Sequence, residues 1–517
     1  MKLFDTTLRD GCQSANVNFS VRDKLEVVKA LDDFGIDYIE LGWPAANKKD
    51  MDSFLEASKF KLKNAKLVAF GSTRRLNVKA SEDHNLKAIL DSKAKVACIF
   101  GKTWLKHVEK QLKGKPEENL DAIRDSVEFL KSKKLEVIYD LEHFFDGFKD
   151  NKDYALNCIK EAVLGNSDYL VLCDTNGGTL PNEVDDILKE VNVFLKNAKL
   201  KAKLGVHFHN DSGVGVANSL VGVDNGVVMV QGTINGFGER AGNADLCQIV
   251  PNLILKKRIK MGKVKLRELT KLSNMLYTLA NIKANKGQPF VGKHAFLHKG
   301  GVHVDAIMKG ASYEHIVADA VGNKRDIVLS DLSGKANVVE ALKKFNVKVS
   351  KDDPRVNEML KKLEKLEQKG YDVGNLSAEQ YLLKEEFFGR GNVFNIDEWK
   401  ILSEQKNGEF SECVLRGQIN GKDIEVVAPV KGGPVDAVYH ALKKMVEVMH
   451  KDVGKVELVN YKVMIAEDKG AESSVRVYIE FRSNGDEWGT VGVSTNILEA
   501  SLEAIEKGFR YYLLKKL

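Results

Sequence analysis

Apolar, β-rich runs recur along the first half of the chain at 2–7, 38–42, 66–71, 95–101, 136–142, 169–175, 203–209 and 227–233. Most of the intervals between them carry a helical period. After the first run, Ser20 is placed to cap a helix, with Asp23 three residues on. Val21, Leu25, Val28 and Leu31 then share a face, and Gly35 stops the helix. After the sixth run, Pro181 opens a helix with Val184, Ile187, Leu188, Val191 and Leu195 on one side. Strands alternating with helices predict a parallel sheet. Eight such units in about 250 residues predict a closed (β/α)8 TIM barrel, with a doubly wound open sheet as the competing topology.

Past residue 265 the pattern changes. Residues 266–285 predict a helix, and 335–385 read as helical and charged. Val356, Met359, Leu360 and Leu363 form one apolar stripe that Gly370 ends. Between these, the stretch from Pro289 to Asp305 is rich in Gly and His and predicts an ordered loop. Strand runs then follow at 398–403, 411–418, 423–430, 457–466, 474–482 and 488–494. Val427-Ala428-Pro429-Val430 leads into a helix with Val435, Ala437, Ala441 and Leu442. Val491-Gly492-Val493-Ser494 leads into one with Leu498, Ala500, Ala504 and Ile505. A duplicated strand–strand–strand–helix unit accounts for both. It carries no acid–base or metal constellation, so a binding or regulatory role suits it. The expected fold is α/β: a (β/α)8 TIM barrel at 1–265, a helical linker region at 266–392, and a C-terminal α+β regulatory or dimerisation domain with an internal duplication at 393–517.

Composition narrows the function. A chain of 517 residues with 43% hydrophobic positions can build several cores. The net charge is only +6, and acidic and basic residues are interspersed. That argues against nucleic acid and membrane surfaces as partners, while the Lys excess favours anionic substrates. No apolar run has membrane-spanning length. The six cysteines show no zinc spacing and no paired framework, as expected in a reducing compartment. With no charged-then-apolar leader at the N-terminus, a cytoplasmic location is expected.

In such barrels the active site lies at the C-terminal ends of the strands. Polar residues gather there: Arg9 and Asp10 after the first strand, Glu40, Asp140 and Glu142, Asp174 and Thr175, His207 and His209, then Asn235, Glu239, Arg240 and Asn243. Residues two apart on a strand point the same way, so His207 and His209 face one space. The first, seventh and eighth strands are neighbours in a closed barrel, so Asp10, His207, His209 and Asn243 can meet. Two nitrogens and two oxygens suit a divalent cation with open positions, and Mn, Mg, Zn and Co are all admissible. Cys12 stays open as a further ligand. Arg9 reads as a fork for a keto or carboxylate oxygen. Thr175 is either a hydroxyl donor at the mouth or a cap of the following loop. Glu142 is either an acid–base or substrate-contacting group or a charge facing the helices; it shares a face with Asp140. The Gly-rich loop Gly236–Ala244 lacks the lysine of a phosphate-binding loop. His303, with Asp305 two residues on and Tyr313 beyond, is either a mobile base with an orienting partner or an exposed loop histidine.

The run Asp5-Thr6-Thr7-Leu8-Arg9-Asp10-Gly11-Cys12-Gln13, the strand Val206-His207-Phe208-His209-Asn210-Asp211 and the loop Gly238–Asn243 resemble those of the 2-isopropylmalate, homocitrate and citramalate synthase family. The resemblance extends over essentially the whole chain. It implies a Claisen-type condensation of acetyl-CoA with a 2-oxo acid, followed by thioester hydrolysis. The wording of Glu142–Gly147, Asp174–Thr179 and His298–Asp305 points to pyruvate as that acid, with 2-oxoisovalerate as the alternative. A non-catalytic amino-acid sensor on the same scaffold is the rival outside enzymes. The resemblance implies a divalent cation on Asp10, His207, His209 and Asn243, substrate contacts from Arg9, Gln13, Thr175 and Glu142, and a base at His303 with Asp305 and Tyr313 nearby. It also implies an amino-acid effector at the C-terminal domain and a homodimer.

Overall fold

In the computed structural model, residues 1–299, 306, 313–328, 333–374, 376–391, 393–405, 409–466 and 473–516 are described. The chain divides into two compact units, 1–296 with 316–324 and 297–315 with 325–517.

The first unit contains a closed parallel barrel of eight strands in sequence order. They are β1 (Lys2–Asp5), β2 (Tyr38–Gly42), β3 (Lys66–Ser72), β4 (Val96–Lys102), β5 (Glu136–Glu142), β6 (Tyr169–Asp174), β7 (Leu204–Phe208) and β8 (Met229–Gly232). The pairing of β1 with β8 closes it, and β7 pairs with β8. The local signals read from sequence operate as expected. Ser20 and Asp23 form a capping box on the helix Val21–Phe34, and Gly35 ends it in the left-handed region with φ 106°. Pro181 stands at the start of the helix Pro181–Asn197. The helix expected over 266–285 is shorter, Leu269–Leu279, because Asn281 turns the chain away with φ 54°.

Strand alternation builds two cores. Leu3, Ile39, Ala97, Val137, Leu170 and Val206 face outward and pack with the surrounding helices. Phe4, Tyr38, Val68, Val96, Ile138, Val171 and Met229 face inward and fill the lower barrel. Two residues further along the same strands, the inward positions turn polar: Glu40 on β2, Asp140 on β5, His207 on β7 and Gln231 on β8, all buried. The candidate site rests on this layer.

One buried ion pair fixes the rim beside it. Lys24 Nζ donates to Asp50 Oδ1 at 2.6 Å and to the Leu41 carbonyl at 2.9 Å. Asp50 Oδ2 accepts from the Trp43 backbone N–H at 2.9 Å. Gly42 permits this approach, since a Cβ there would lie 2.6 Å from Asp50 Cγ. Replacing Lys24 by Met strands the Asp50 charge in the interior and is expected to cost about 3–5 kcal/mol. Urea unfolding checks this, and adding Asp50→Asn should recover much of the loss.

The second unit holds the helices Lys335–Lys343, Pro354–Gln368 and Ser377–Phe388. Two three-stranded antiparallel sheets follow, Phe394–Gln405, Glu409–Ile419 and Lys422–Val430, then Glu457–Ile465, Val475–Ser483 and Asp486–Ser494. Each sheet leads into a helix, Pro434–Glu447 and Ile497–Lys516. Ala441, Leu442 and Met445 of one helix share a core with Ile505, Phe509 and Leu513 of the other. The repeated sheet–helix unit is the duplication read from the sequence. Among the described residues no helix is long and apolar enough to cross a membrane, and all six cysteines are free thiols.

Candidate metal centre and active site

The chain leaves β1 in a tight turn. The Thr6 carbonyl accepts from the N–H groups of Arg9, Asp10 and Gly11 at 2.9–3.1 Å. Thr7 is pinned inside, its N–H and hydroxyl donating to Asp5 at 3.0 and 2.8 Å. This turn carries Asp10 over the barrel interior. Its Oδ2 lies 3.3 Å from His207 Nε2 and 3.5 Å from His209 Nε2, and accepts from Asn243 Nδ2 at 2.6 Å. His207 ends the inward row of β7, and His209 continues it just beyond the strand, bridged to Asn243.

Asp10, His207 and His209 are all buried, and each offers a ligand atom within 4.8 Å of the others. The three form a group able to hold a divalent metal ion. The donor set suits one: a carboxylate, two imidazoles, and beside them the buried Asn243 Oδ1, which has no hydrogen-bond partner among the described residues. Gly238 makes room for that carboxamide, since a Cβ there would lie 2.3 Å from Oδ1. Cys12 is not part of the group; its thiol faces the Leu8 carbonyl at 3.2 Å.

Arg9 is clamped in place. Its Nη1 donates to Asp10 Oδ1 at 2.9 Å and its Nε to Glu40 Oε2 at 2.6 Å. The guanidinium carbon sits 3.8 Å over the Phe70 ring. Burial alone would raise the Asp10 carboxyl, but Arg9 and the two imidazoles outweigh it and hold Asp10 well below the usual carboxylate range. Glu40 is fully enclosed, and burial prevails over Arg9 to push its carboxyl up to about 7. For His207, burial opposes the charged form, but Asp10 overrides it and raises the imidazole.

The two imidazoles meet different second partners. His207 Nδ1 lies 2.9 Å from Gln231 Oε1. His209 Nδ1 lies 2.9 Å from Arg240 Nη2. A guanidinium only donates, so His209 Nδ1 accepts here, and for Nε2 to hold a cation the ring would carry its proton on Nδ1 and Arg240 would have to release it. Arg240 is itself held by Asp211 and by the Thr175 carbonyl at 2.8 Å.

Arg9, Asp10, His207 and His209 line a pocket of about 230 Å³. Gln13, Glu142 and Thr175 reach it as expected from the sequence. Glu142 is paired with Lys102 at 2.6 Å. The Thr175 hydroxyl accepts from the His143 N–H at 2.9 Å, which leaves its own proton to donate. Asp140 and Glu142 both face the pocket. Asn235 does not reach it: a left-handed backbone, φ 64°, turns its carboxamide toward Ser273, 2.5 Å from the Ser273 hydroxyl. Three aromatics that sequence reasoning missed form a wall. Phe70 and Phe100 stack at 5.4 Å, and Trp43 meets both edge-on. Their inward strand parity was the available signal for Phe70 and Phe100, whereas Trp43 lies beyond its strand and gave none. Tyr313 is 48% exposed and belongs to the second unit. His303 and Asp305 lie outside the described residues.

This barrel, with its acid-and-imidazole mouth, falls in the class described as HMGL-like, whose family model matches residues 1–276. Residues 290–371 match the homocitrate synthase post-HMGL domain-like model, and 377–513 match the LeuA allosteric (dimerisation) domain. An (R)-citramalate synthase of Geobacter sulfurreducens is 45% identical over 100% of this chain and 98% of its own length. One of Sulfolobus acidocaldarius is 44% identical, covering 99% of this chain and 97% of its own length. A 2-isopropylmalate synthase of Methanocaldococcus jannaschii is 27% identical, covering 99% of this chain and 95% of its own length. The chain belongs to the citramalate synthase family.

Proposed function

We propose that the protein condenses acetyl-CoA with pyruvate and hydrolyses the resulting thioester, giving citramalate and CoA. The observation that carries this reading is the convergence of Asp10, His207 and His209 on one buried point beside Arg9. Asp10, His207 and His209, with Asn243, would hold a divalent cation. When bound, that cation supplies Lewis-acid polarisation of the keto group of the 2-oxo acid.

Arg9 binds the keto oxygen and stabilises the negative charge it gains as the new carbon–carbon bond forms. A base takes a proton from the acetyl-CoA methyl group, and the resulting enolate carbon attacks the keto carbon. We assign that base to His303, oriented by Asp305 and Tyr313. Thr175 donates to the acid's carboxylate, with Gln13 and Glu142 as further substrate contacts. Water then cleaves the thioester, and the thiol of CoA leaves. The LeuA-like region 377–513 supports a homodimer with an amino-acid effector, isoleucine for this product. Free cysteines favour a reducing compartment, the cytoplasm.

The wall of Trp43, Phe70 and Phe100 favours the smaller acid. The deciding experiment measures CoA thiol release with Mn²⁺ and acetyl-CoA against pyruvate and 2-oxoisovalerate. Pyruvate is expected to give a kcat/KM at least ~10-fold higher, the scale on which a pocket discriminates one methylene. A preference for 2-oxoisovalerate would move the protein to the isopropylmalate branch. No release with either acid would leave the amino-acid sensor.

A further inference from the structure

Gln231 stands out among the buried polar groups of the barrel interior. It is a fully buried carboxamide on β8, and its register partner on β7 is His207. Its side chain spans the interior to Asp140 on β5, a strand that is not its neighbour. Gln231 Nε2 donates to Asp140 Oδ1 at 3.1 Å, and Gln231 Oε1 lies 2.9 Å from His207 Nδ1.

The order of donors and acceptors along this row is fixed from one end. The Cys98 thiol beside Asp140 favours its charged form, as does the Gln231 carboxamide. A carboxylate accepts and does not donate, so Gln231 must turn its NH2 end toward Asp140. Its oxygen then faces His207, and an oxygen satisfies Nδ1 only if that nitrogen carries a proton. With the proton on Nδ1, the neutral ring presents the lone pair of Nε2 toward Asp10. The reversed carboxamide would set its oxygen against the Asp140 carboxylate and favour the tautomer whose Nε2 is blocked.

We infer that Asp140 and Gln231 are positioning residues that lock His207 in its metal-binding tautomer. The inference rests on the reading of Asp10, His207 and His209 as cation ligands. His209 has no such support, because Arg240 donates to its Nδ1. His207 is therefore the imidazole whose neutral form is set for a cation, and Asp140 acts on it through Gln231.

The test is Mn²⁺ affinity of the metal-free full-length protein, measured by calorimetry alongside its thermal melting. Gln231→Met keeps the length of the side chain and removes the acceptor. It is expected to weaken Mn²⁺ binding about 10–100-fold, the usual cost of losing the partner that orients a ligand. Asp140→Leu, which frees the carboxamide to turn either way, should fall between that variant and the parent. The double variant Asp140→Asn with Gln231→Glu keeps the net charge and restores an acceptor at His207 Nδ1, and it should bind close to the parent. Asp140→Asn with Gln231→Met should stay weak. Nitrogen-15 chemical shifts of the zinc-loaded parent should show the proton on His207 Nδ1. Parent-like affinity in Gln231→Met, or equally weak binding by the two double variants, would overturn the inference. A parent that binds no Mn²⁺ would be a different failure, removing the ligand set itself.

Discussion

Replacing Asp10 by Ala is expected to lower kcat by at least ~10²–10³-fold, the scale of losing one preorganised charge-stabilising group, and to remove measurable Mn²⁺ binding. Three lines of geometry make this the most damaging single change in the barrel. Asp10 Oδ2 is the one carboxylate oxygen within 3.5 Å of both imidazoles among the described residues. The same oxygen accepts from Asn243, and Oδ1 anchors Arg9. Removing the carboxyl therefore takes a ligand and also releases the arrangement of four other side chains. Parallel measurements of thiol release and metal calorimetry check it. Full turnover in Asp10→Ala, with the fold intact by circular dichroism, would remove the proposed chemistry.

Arg9→Met is expected to give the next largest effect, and it should act on both activity and stability. The charge that Arg9 offers to the keto oxygen disappears, which should lower kcat by about 10²–10³-fold. Glu40 is left enclosed without its cation, and among the described residues its Oε1 already lacks a hydrogen-bond partner. Removing one member of a buried pair typically costs about 3–5 kcal/mol. Adding Glu40→Gln should return most of the stability and none of the rate. That split separates the two roles of Arg9: one concerns Glu40 and folding, the other concerns substrate. Arg9→Lys should restore little, because a compact ammonium cannot bond Asp10 and Glu40 along two edges while lying flat on Phe70. Denaturant unfolding and steady-state kinetics on the same preparations check the pattern.

Much of this was legible in the chain before any coordinates. The strands and helices announced themselves because each helix had to present one apolar stripe to the sheet and each strand was buried on both sides. Ser20, Gly35 and Pro181 are local signals that need no tertiary contact. The two histidines were readable because strand geometry alone puts His207 and His209 on one side. Asp10 joined them only once the barrel was closed, since β1 and β7 both border β8.

What escaped the sequence depends on distances across the interior. Gln231 is an ordinary carboxamide until Asp140, 91 positions earlier, lies beneath its NH2 end. Lys102 pairs with Glu142 because the Cα register between β4 and β5 places them side by side. Asn235 was placed at the mouth by its position after β8, yet a single left-handed residue was enough to send it elsewhere. Phe70 and Phe100 look like any buried aromatics in a strand, and only the stacked pair with Trp43 across it makes a wall.

The polar storey inside the barrel has a consequence for attempts to make this protein tougher. Glu40, Asp140, His207 and Gln231 occupy positions where hydrocarbon would pack without desolvating charge. Any search for heat-resistant variants that scores melting alone will drift toward Leu, Met or Phe at those sites. It will return sturdy, empty cylinders. Selections on this scaffold should therefore hold that ring of residues constant and look for gains in the outer shell, where Ile39, Leu170 and Val206 meet the helices.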